Sequence, residues 1–457
     1  MKVKVSTTHG SSDRGLIAVQ DLEPGEPILS VPFDKVFMSE REDDMDMHWA
    51  AGMALQLLRD IHVEKHEGSS NKRGLWISML LRTGEVFTPL SFNETEVAAL
   101  GDPFIIAEVQ LMQICMRDCF QALMEEADNR FFTWAEFLWA VQVMTSRCFF
   151  EASLGGVHLA VPGVDMCNHS MNPNATVQIR HSTQYCQGRG ALEEVCDVPS
   201  SSDDVNAGRN TDTGEGSFFE LLAGPSGVSQ GQEVTISYSS QAPSEFFLLL
   251  FGFVPEGGTA NDSVTLFPTL QDMAQAWFQM FSPKDADCEA TLNSKVSDVA
   301  DIVGLPGNEQ SVGRLNDQLP EAGTATLDSF LELVVNKYGL QPETFDRLVV
   351  TKEGIDARMS EAFHVVNEAM LLFQGSCLQE KAGRGPESNA GLRCNKFLLD
   401  VCKERLSLIL GATAGATGAV HGTGQGVTEV ASRLIVSFRQ RKIAILEQVI
   451  SQIENGR

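Results

Sequence analysis

Apolar and polar positions follow two different rhythms along this chain, and the change of rhythm divides it. In "GLIAVQDLEPGEPILSVP" the apolar residues fall into two short runs, which predict β-strands at Leu16–Val19 and Ile28–Val31. Between them, Pro24 and Gly25 suit the two central positions of a type II turn. From about Met45 to Phe150 the period lengthens. "WAAGMALQLLRDIHVEKH", "IIAEVQLMQICMRDCFQALMEEA" and "TWAEFLWAVQVMTSRCFF" carry apolar residues at helical spacing, so a helical insert of roughly a hundred residues is expected.

The short rhythm returns at "GVHLAVPGVDMCNHS" and at "SFFELLAGPSGVSQGQEVTISY". In the second stretch Val234, Ile236 and Tyr238 alternate with Thr235 and Ser237 and should share one strand face. The intervening residues 199–217 are polar, Gly-rich and aperiodic, which predicts a loop. After about Phe267 the helical rhythm resumes in "LDSFLELVVNKYG", in "MSEAFHVVNEAMLLF" and in a final segment with Val430, Leu434, Phe438, Ile445, Val449 and Ile453 on one stripe. The Gly/Ala stretch 411–426 is expected to be a loop between helices.

Composition changes this picture in two ways. With 457 residues and 43% hydrophobic positions the chain can build two or three packed cores. Its formal net charge of −27 repels phosphate backbones and anionic lipid heads, so neither nucleic acid nor membrane is expected as a partner, and a basic protein segment is. The ten cysteines are scattered without a CxxC pair, and the amino terminus has no apolar signal-peptide core. A reducing intracellular compartment is therefore expected, the cytoplasm first and the nucleus or plastid as alternatives, with a monomeric protein.

Several candidate sites fail on spacing. "GTGQG" at 422–426 lacks the third glycine and the preceding strand of a dinucleotide loop. His62 and His66 are four apart, but no third ligand accompanies them. Cys115 and Cys119 lie in an apolar helix as small hydrophobes. Ser226 in "GPSGV" does not have the spacing of a hydrolase nucleophile elbow. The cluster "VDMCNHSMNPNATV" (164–177) holds an acid, a thiol and an imidazole. Asp165, Cys167 and His169 are spaced for one strand face and poorly for a zinc site or a thiol–imidazole pair, so residue logic favours a polar turn. No metal is expected.

"NHSMNPNATV" also resembles the N-H-S-x-x-P-N motif of SET-domain protein methyltransferases, and "GQEVTISY" resembles the family's second motif, G-E-E-[LV]-x-x-x-Y. "DRGLIAVQDLEPGEPILSVP" is similar to its amino-terminal hairpin. "FTWAEFLWAVQVMTSRCF", "VPGVDMCNHS" and "SEFFLLLFGFVPEGGTANDSV" are similar to the subgroup typified by Rubisco large-subunit lysine methyltransferase. The resemblance implies an α+β fold, with a β-rich SET core of short sheets split between 1–44 and 135–267. It further implies a helical insert at 45–134 and an all-α substrate-binding domain at 268–457.

It also implies a function: transfer of a methyl group from S-adenosylmethionine to a lysine side chain of a protein. A histidine acceptor and a non-catalytic SET-fold binding module are the alternatives. Tyr238 matches the catalytic tyrosine, whose hydroxyl orients amine and methyl. Asn168 and His169 match the adenine-binding pair. Ser12, Asp13 and Arg14 match the turn around the methionine part, with Asp13 where many members have glycine. Arg147 matches an arginine near cofactor and substrate, and Asp165 an acid of the substrate channel. Phe251 replaces a tyrosine, which leaves a less polar pocket and favours more than one methyl per amine or a different acceptor. Cys167 is expected to be buried and inert.

Overall fold

The computed structural model describes residues 2–7, 14–39, 47–67, 74–80, 85–180, 217–281, 347–356, 358–364, 366, 386–418 and 428–455. Ser12, Asp13, "LDSFLELVVNKYG", "GTGQG" and all but Ser217 of the expected loop at 199–217 lie outside them.

The first of two compact units comprises Met1–Ser91, Leu111–Ala242 and Leu249–Phe253. Among the described residues it holds three small sheets. The sheet nearest the site runs β1 (Val3–Thr7), β2 (Arg14–Ala18), β10 (Glu233–Ile236) and β7 (Asn168–His169). A second joins β3 (Pro27–Pro32), β9 (Phe218–Ala223) and β8 (Ala175–Arg180), and a third joins β4 (Phe37–Met38), β6 (Val157–Ala160) and β5 (Cys148–Glu151).

The two amino-terminal strands exist as expected, but they do not pair with each other: β2 pairs with β1 and β10, and β3 with β9. The predicted turn is present, with Glu26 N–H donating to Glu23 O at 3.0 Å and Gly25 at φ 73°. It cannot close a hairpin because the chain on either side is claimed by other partners. Leu22 bridges Val228, and Gly25 N–H donates to Ala223 O. Alternation along β10 works as the pattern demands, with Val234 and Ile236 buried and Thr235 half-buried.

The insert contributes α1 (Trp49–Glu67) and α2 (Gly74–Met79), and α3 (Trp134–Arg147) follows it. The last of these starts on a capping box. Thr133 Oγ1 accepts from Glu136 N–H while the Glu136 carboxylate accepts from Thr133 N–H, so two donors that the helix leaves unpaired are satisfied reciprocally. The core packs Phe37, Leu57, Phe137, Met144 and Leu159, all with essentially no exposure. His62 packs its ring on Phe131 at 4.5 Å, and no metal-binding group of three His, Cys, Asp or Glu occurs among the described residues. Cys115 and Cys119 are half-buried.

His158 on β6 lies face to face with Trp49, ring centroids 3.7 Å apart and planes within 1°. Burial and then the neighbouring His48 ring push its pKa down to about 4. A histidine depressed in the folded state takes up its proton first in the unfolded chain, so this stability is present above the unfolded pKa and is lost as pH falls from about 6.5 toward 4. Allowing for solvent screening of a half-buried ring, acidification through that window should cost on the order of 1 kcal/mol more in wild type than in His158→Phe. Chemical denaturation of both proteins across the window measures it, and parallel curves would contradict it.

The second unit comprises Phe92–Gln110, Pro243–Leu248 and Val254–Arg457. It is mainly helical, and its core gathers Trp277, Phe363 and Phe397. To the expected helices it adds an antiparallel sheet of β11 (Ser263–Phe267), β12 (Leu348–Thr351) and β13 (Gly354–Ile355), which helical periodicity does not announce because two of these strands are four residues or fewer. The Gly/Ala stretch differs from expectation at its start. Residues 411–418 complete the helix Pro386–Gly418, since alanine is the strongest helix former and outweighs its glycine neighbours. In the last helix, Glu429–Glu454, the buried stripe runs through Ala431, Ile435, Phe438, Ile445 and Val449, leaving Val430 exposed. It also buries Lys442, which pairs with Glu245 at 3.3 Å and donates to Ser263 O. No helix among the described residues is long and apolar enough to cross a membrane.

Candidate active site

Two chain segments about seventy residues apart in sequence meet on adjacent strands, with Tyr238 lying 71 positions from Cys167. β7 and β10 run parallel, with Asn168 beside Thr235 and His169 beside Ile236. Tyr238, two positions past the end of β10, thereby comes over the residues that precede β7. Its hydroxyl donates to Cys167 O at 2.8 Å, and its backbone N–H donates to His169 Nδ1 at 3.1 Å. Burial pushes the phenol pKa well up, with Arg147 opposing. Tyr238 is thus a neutral hydroxyl at any physiological pH, able to orient partners and unable to act as a base.

The bond from Tyr238 N–H fixes the state of His169. A ring nitrogen that accepts carries no proton, so the neutral ring bears its hydrogen on Nε2, which lies 3.3 Å from Met171 Sδ. Burial lowers the His169 pKa and favours that neutral form. Asn168 is anchored from the other side, its Nδ2 donating to Arg14 O at 3.2 Å and to Glu233 Oε1 at 2.7 Å. Glu233 also explains why a glutamate stands in "GQEV": it orients the amide of Asn168.

Aromatic rings close one side. Phe251 lies 4.6 Å from Tyr238 by ring centroids, and Phe253 lies 6.0 Å from His169 and 6.3 Å from Tyr238. Gly252 between them has φ 73°, and a Cβ there would sit 2.0 Å from Phe87 O. Only glycine permits this approach, so the ring pair depends on it.

Behind Tyr238 lies an ion pair. Arg147, at the end of α3, donates through Nη1 to Asp165 Oδ2 at 3.0 Å and to Asp165 O at 3.0 Å. The resemblance puts Asp165 at the substrate channel, but the structure turns its side chain fully inward. Oδ2 also accepts from Trp76 Nε1 at 2.9 Å and Oδ1 from Gly163 N–H at 2.8 Å. A carboxylate removed from water needs such donors, and all of them come from this chain. Any influence of Asp165 on a ligand therefore runs through Arg147. Burial pushes its carboxyl pKa up, while Arg147 and the two hydrogen-bond donors pull it down.

Cys167 is buried as expected. Burial, then Asp165 and Glu233, push its thiol far above the range of a reactive thiolate. Arg147 Nε and Arg14 Nη2 are buried without a hydrogen-bond partner among the described residues. A buried guanidinium nitrogen of that kind fits an anionic group such as an amino-acid carboxylate.

The structure thus brings Arg14, Arg147, Asp165, Asn168, His169, Tyr238 and Phe251 into the first unit, whereas Ser12 and Asp13 lie outside the described residues. Sequence reasoning missed Trp76, Glu233, Gly252 and Phe253. Glu233, Gly252 and Phe253 all stand inside quoted motifs, so a signal existed. Trp76 stands 89 positions from its partner, and no local pattern marks it.

Comparison with known proteins matches residues 13–194 to the SET domain. Among solved structures, Rubisco LSMT bound to sinefungin and monomethyllysine aligns over 100% of this chain and 88% of its own, at 16% identity and a TM-score of 0.55. The SET domain of LSMT bound to lysine and AdoHcy aligns over 99% and 87%, again at 16% identity and 0.55. Rubisco LSMT bound to AdoMet aligns over 100% and 88%, at 15% identity and 0.55. At these identities the likeness is one of fold, and it extends over both units. No curated protein sequence matches the chain.

Proposed function

We propose that this chain, which carries a SET domain at residues 13–194, is an S-adenosylmethionine-dependent methyltransferase that modifies a lysine side chain of a protein. The observation that carries this reading is the Tyr238 hydroxyl, bonded to Cys167 O and packed on Phe251, with the charge of Arg147 acting on it and the Nε of Arg147 buried without a hydrogen-bond partner among the described residues. Residues 1–44 and 135–267 would form the catalytic core around the insert 45–134, and 268–457 would present the protein substrate. The net charge of −27 favours a basic target segment.

The cofactor, when bound, supplies a methyl group on a sulfonium, ready for direct displacement by an amine. Arg14 and Arg147 would hold its carboxylate through the unpaired Nη2 and Nε. Asn168 and His169 would hold its adenine side. Tyr238 gives its own proton to Cys167 O, so its oxygen lone pairs remain to accept from an amine N–H. That directs the amine lone pair toward the methyl. Such alignment can account for several kcal/mol of a displacement barrier.

Only a neutral amine attacks. Deprotonating a lysine of pKa near 10.4 at pH 7 costs about 4–5 kcal/mol, which the rings of Tyr238, Phe251 and Phe253 reduce by excluding water from the ammonium form.

The test is incubation with isotopically labelled S-adenosylmethionine and a cell extract, alongside calorimetric titration of the cofactor. Transfer of label to a protein band, with mass spectrometry placing methyl groups on lysine, is expected. Absence of both cofactor binding and label would overturn the enzyme reading, and label on histidine would overturn the acceptor.

A further inference from the structure

We infer that Trp76 is a positioning residue for this site: its indole N–H holds the Asp165 carboxylate as the counter-ion that aims the Nε of Arg147 at an anionic ligand group. The inference deepens the proposed function and rests on it for the identity of that ligand. Trp76 lies on α2, is 3% exposed, and keeps its ring against Phe37 at 5.0 Å. A buried indole N–H needs an acceptor. This one takes Asp165 Oδ2, the same oxygen that receives Arg147 Nη1, with the two bonds at 2.9 Å and 3.0 Å.

Among the described residues the guanidinium is held at Nη1 alone, by Asp165 Oδ2, Asp165 O and, more loosely, Met166 Sδ at 3.7 Å. Its Nε is buried and has no partner among them. The orientation of that nitrogen therefore follows from where Asp165 Oδ2 sits, and Trp76 shares in setting the position. A helix of the insert thereby takes part in ligand binding without touching the ligand.

The charge on Asp165 matters as much as its place. Arg147 is the one cation facing it among the described groups. Cys148, Cys167 and Tyr238 also feel it, and burial keeps all three neutral by raising their pKa values. Burial raises the Asp165 carboxyl too, against Arg147, Trp76 and Gly163. Without the indole donor, fewer groups oppose burial, and Asp165 takes up a proton at higher pH. A protonated Asp165 no longer fixes Arg147.

The experiment replaces Trp76 with β-(3-benzothienyl)alanine, which keeps the ring shape and removes the N–H, with Trp76→Phe as the genetic counterpart. One readout is the NMR titration of the Asp165 carboxyl carbon in ligand-free protein. The other is the calorimetric Kd for S-adenosylhomocysteine as a function of pH. The Asp165 midpoint and the midpoint of the affinity profile should move up together, and an affinity loss of about 3–10-fold below the shifted midpoint should recover above it. An unmoved Asp165 midpoint, or an affinity loss equal at every pH, overturns the role and leaves Trp76 a packing residue. Wild-type protein that binds no S-adenosylhomocysteine overturns the proposed function instead, which the ligand-free titration keeps distinct from a failure at Trp76.

Discussion

Tyr238→Phe is expected to lower kcat for methyl transfer by about 10²–10³-fold, the usual loss when one aligned polar group is taken from a water-excluded site. The ring and its packing on Phe251 survive the change, since only the hydroxyl is removed. What disappears is the bond to Cys167 O and, with it, the lone pairs that orient the amine. Cofactor affinity should be little affected, because the proposed cofactor groups are Arg14, Arg147, Asn168 and His169. Leaving Cys167 O without its donor should cost about 1–2 kcal/mol of stability, small enough for the variant to fold. Single-turnover rates with labelled cofactor, paired with calorimetric Kd values, separate the two effects. A rate close to wild type would show that alignment does not depend on the hydroxyl.

Gly252→Ala should be the most damaging single methyl group in this region. The residue has φ 73°, and the added Cβ would lie 2.0 Å from Phe87 O and 3.1 Å from Phe87 C, both backbone atoms that cannot rotate away. Strain in the left-handed region and displacement of a packed backbone together should cost about 3–5 kcal/mol. Because Phe251 and Phe253 flank the glycine, the relaxation should also move both rings away from Tyr238. The denaturation midpoint measures the first effect, and methyl transfer by the fraction still folded measures the second. An alanine variant of unchanged stability and rate would mean that the segment around Phe87 shifts freely.

These expectations show which parts of the protein its sequence discloses. The helices Trp49–Glu67 and Trp134–Arg147 follow from apolar spacing, and the second is sharpened by the Thr133 and Glu136 capping pair. The turn at Pro24–Gly25 follows from residue chemistry. Pairing does not follow in the same way: the strands beside that turn look like a hairpin in one dimension and belong to two sheets in three. The final helix shows the same limit, because its buried face is set by what packs against it, which puts Ala431 inside and Val430 outside.

The site divides along the same line. Residues in contiguous motifs, Asn168, His169, Tyr238 and Phe251, are legible because each motif's spacing is itself the requirement. Asp165 illustrates the opposite case. Its presence is legible, but its direction is decided by Trp76, 89 positions away, and by Arg147, 18 positions away. The sequence alone thus determined the long amphipathic helices, the first unit's motif-bearing strands, the two motifs and the acidic charge, since periodicity and composition act locally and additively. Only the tertiary structure decided that Tyr238 reaches Cys167 O, that Gly252 must lack a side chain, and that Asp165 serves Arg147. Hydrogen bonds and steric exclusion between distant segments depend on ångström-level placement, and a linear pattern carries no such distances.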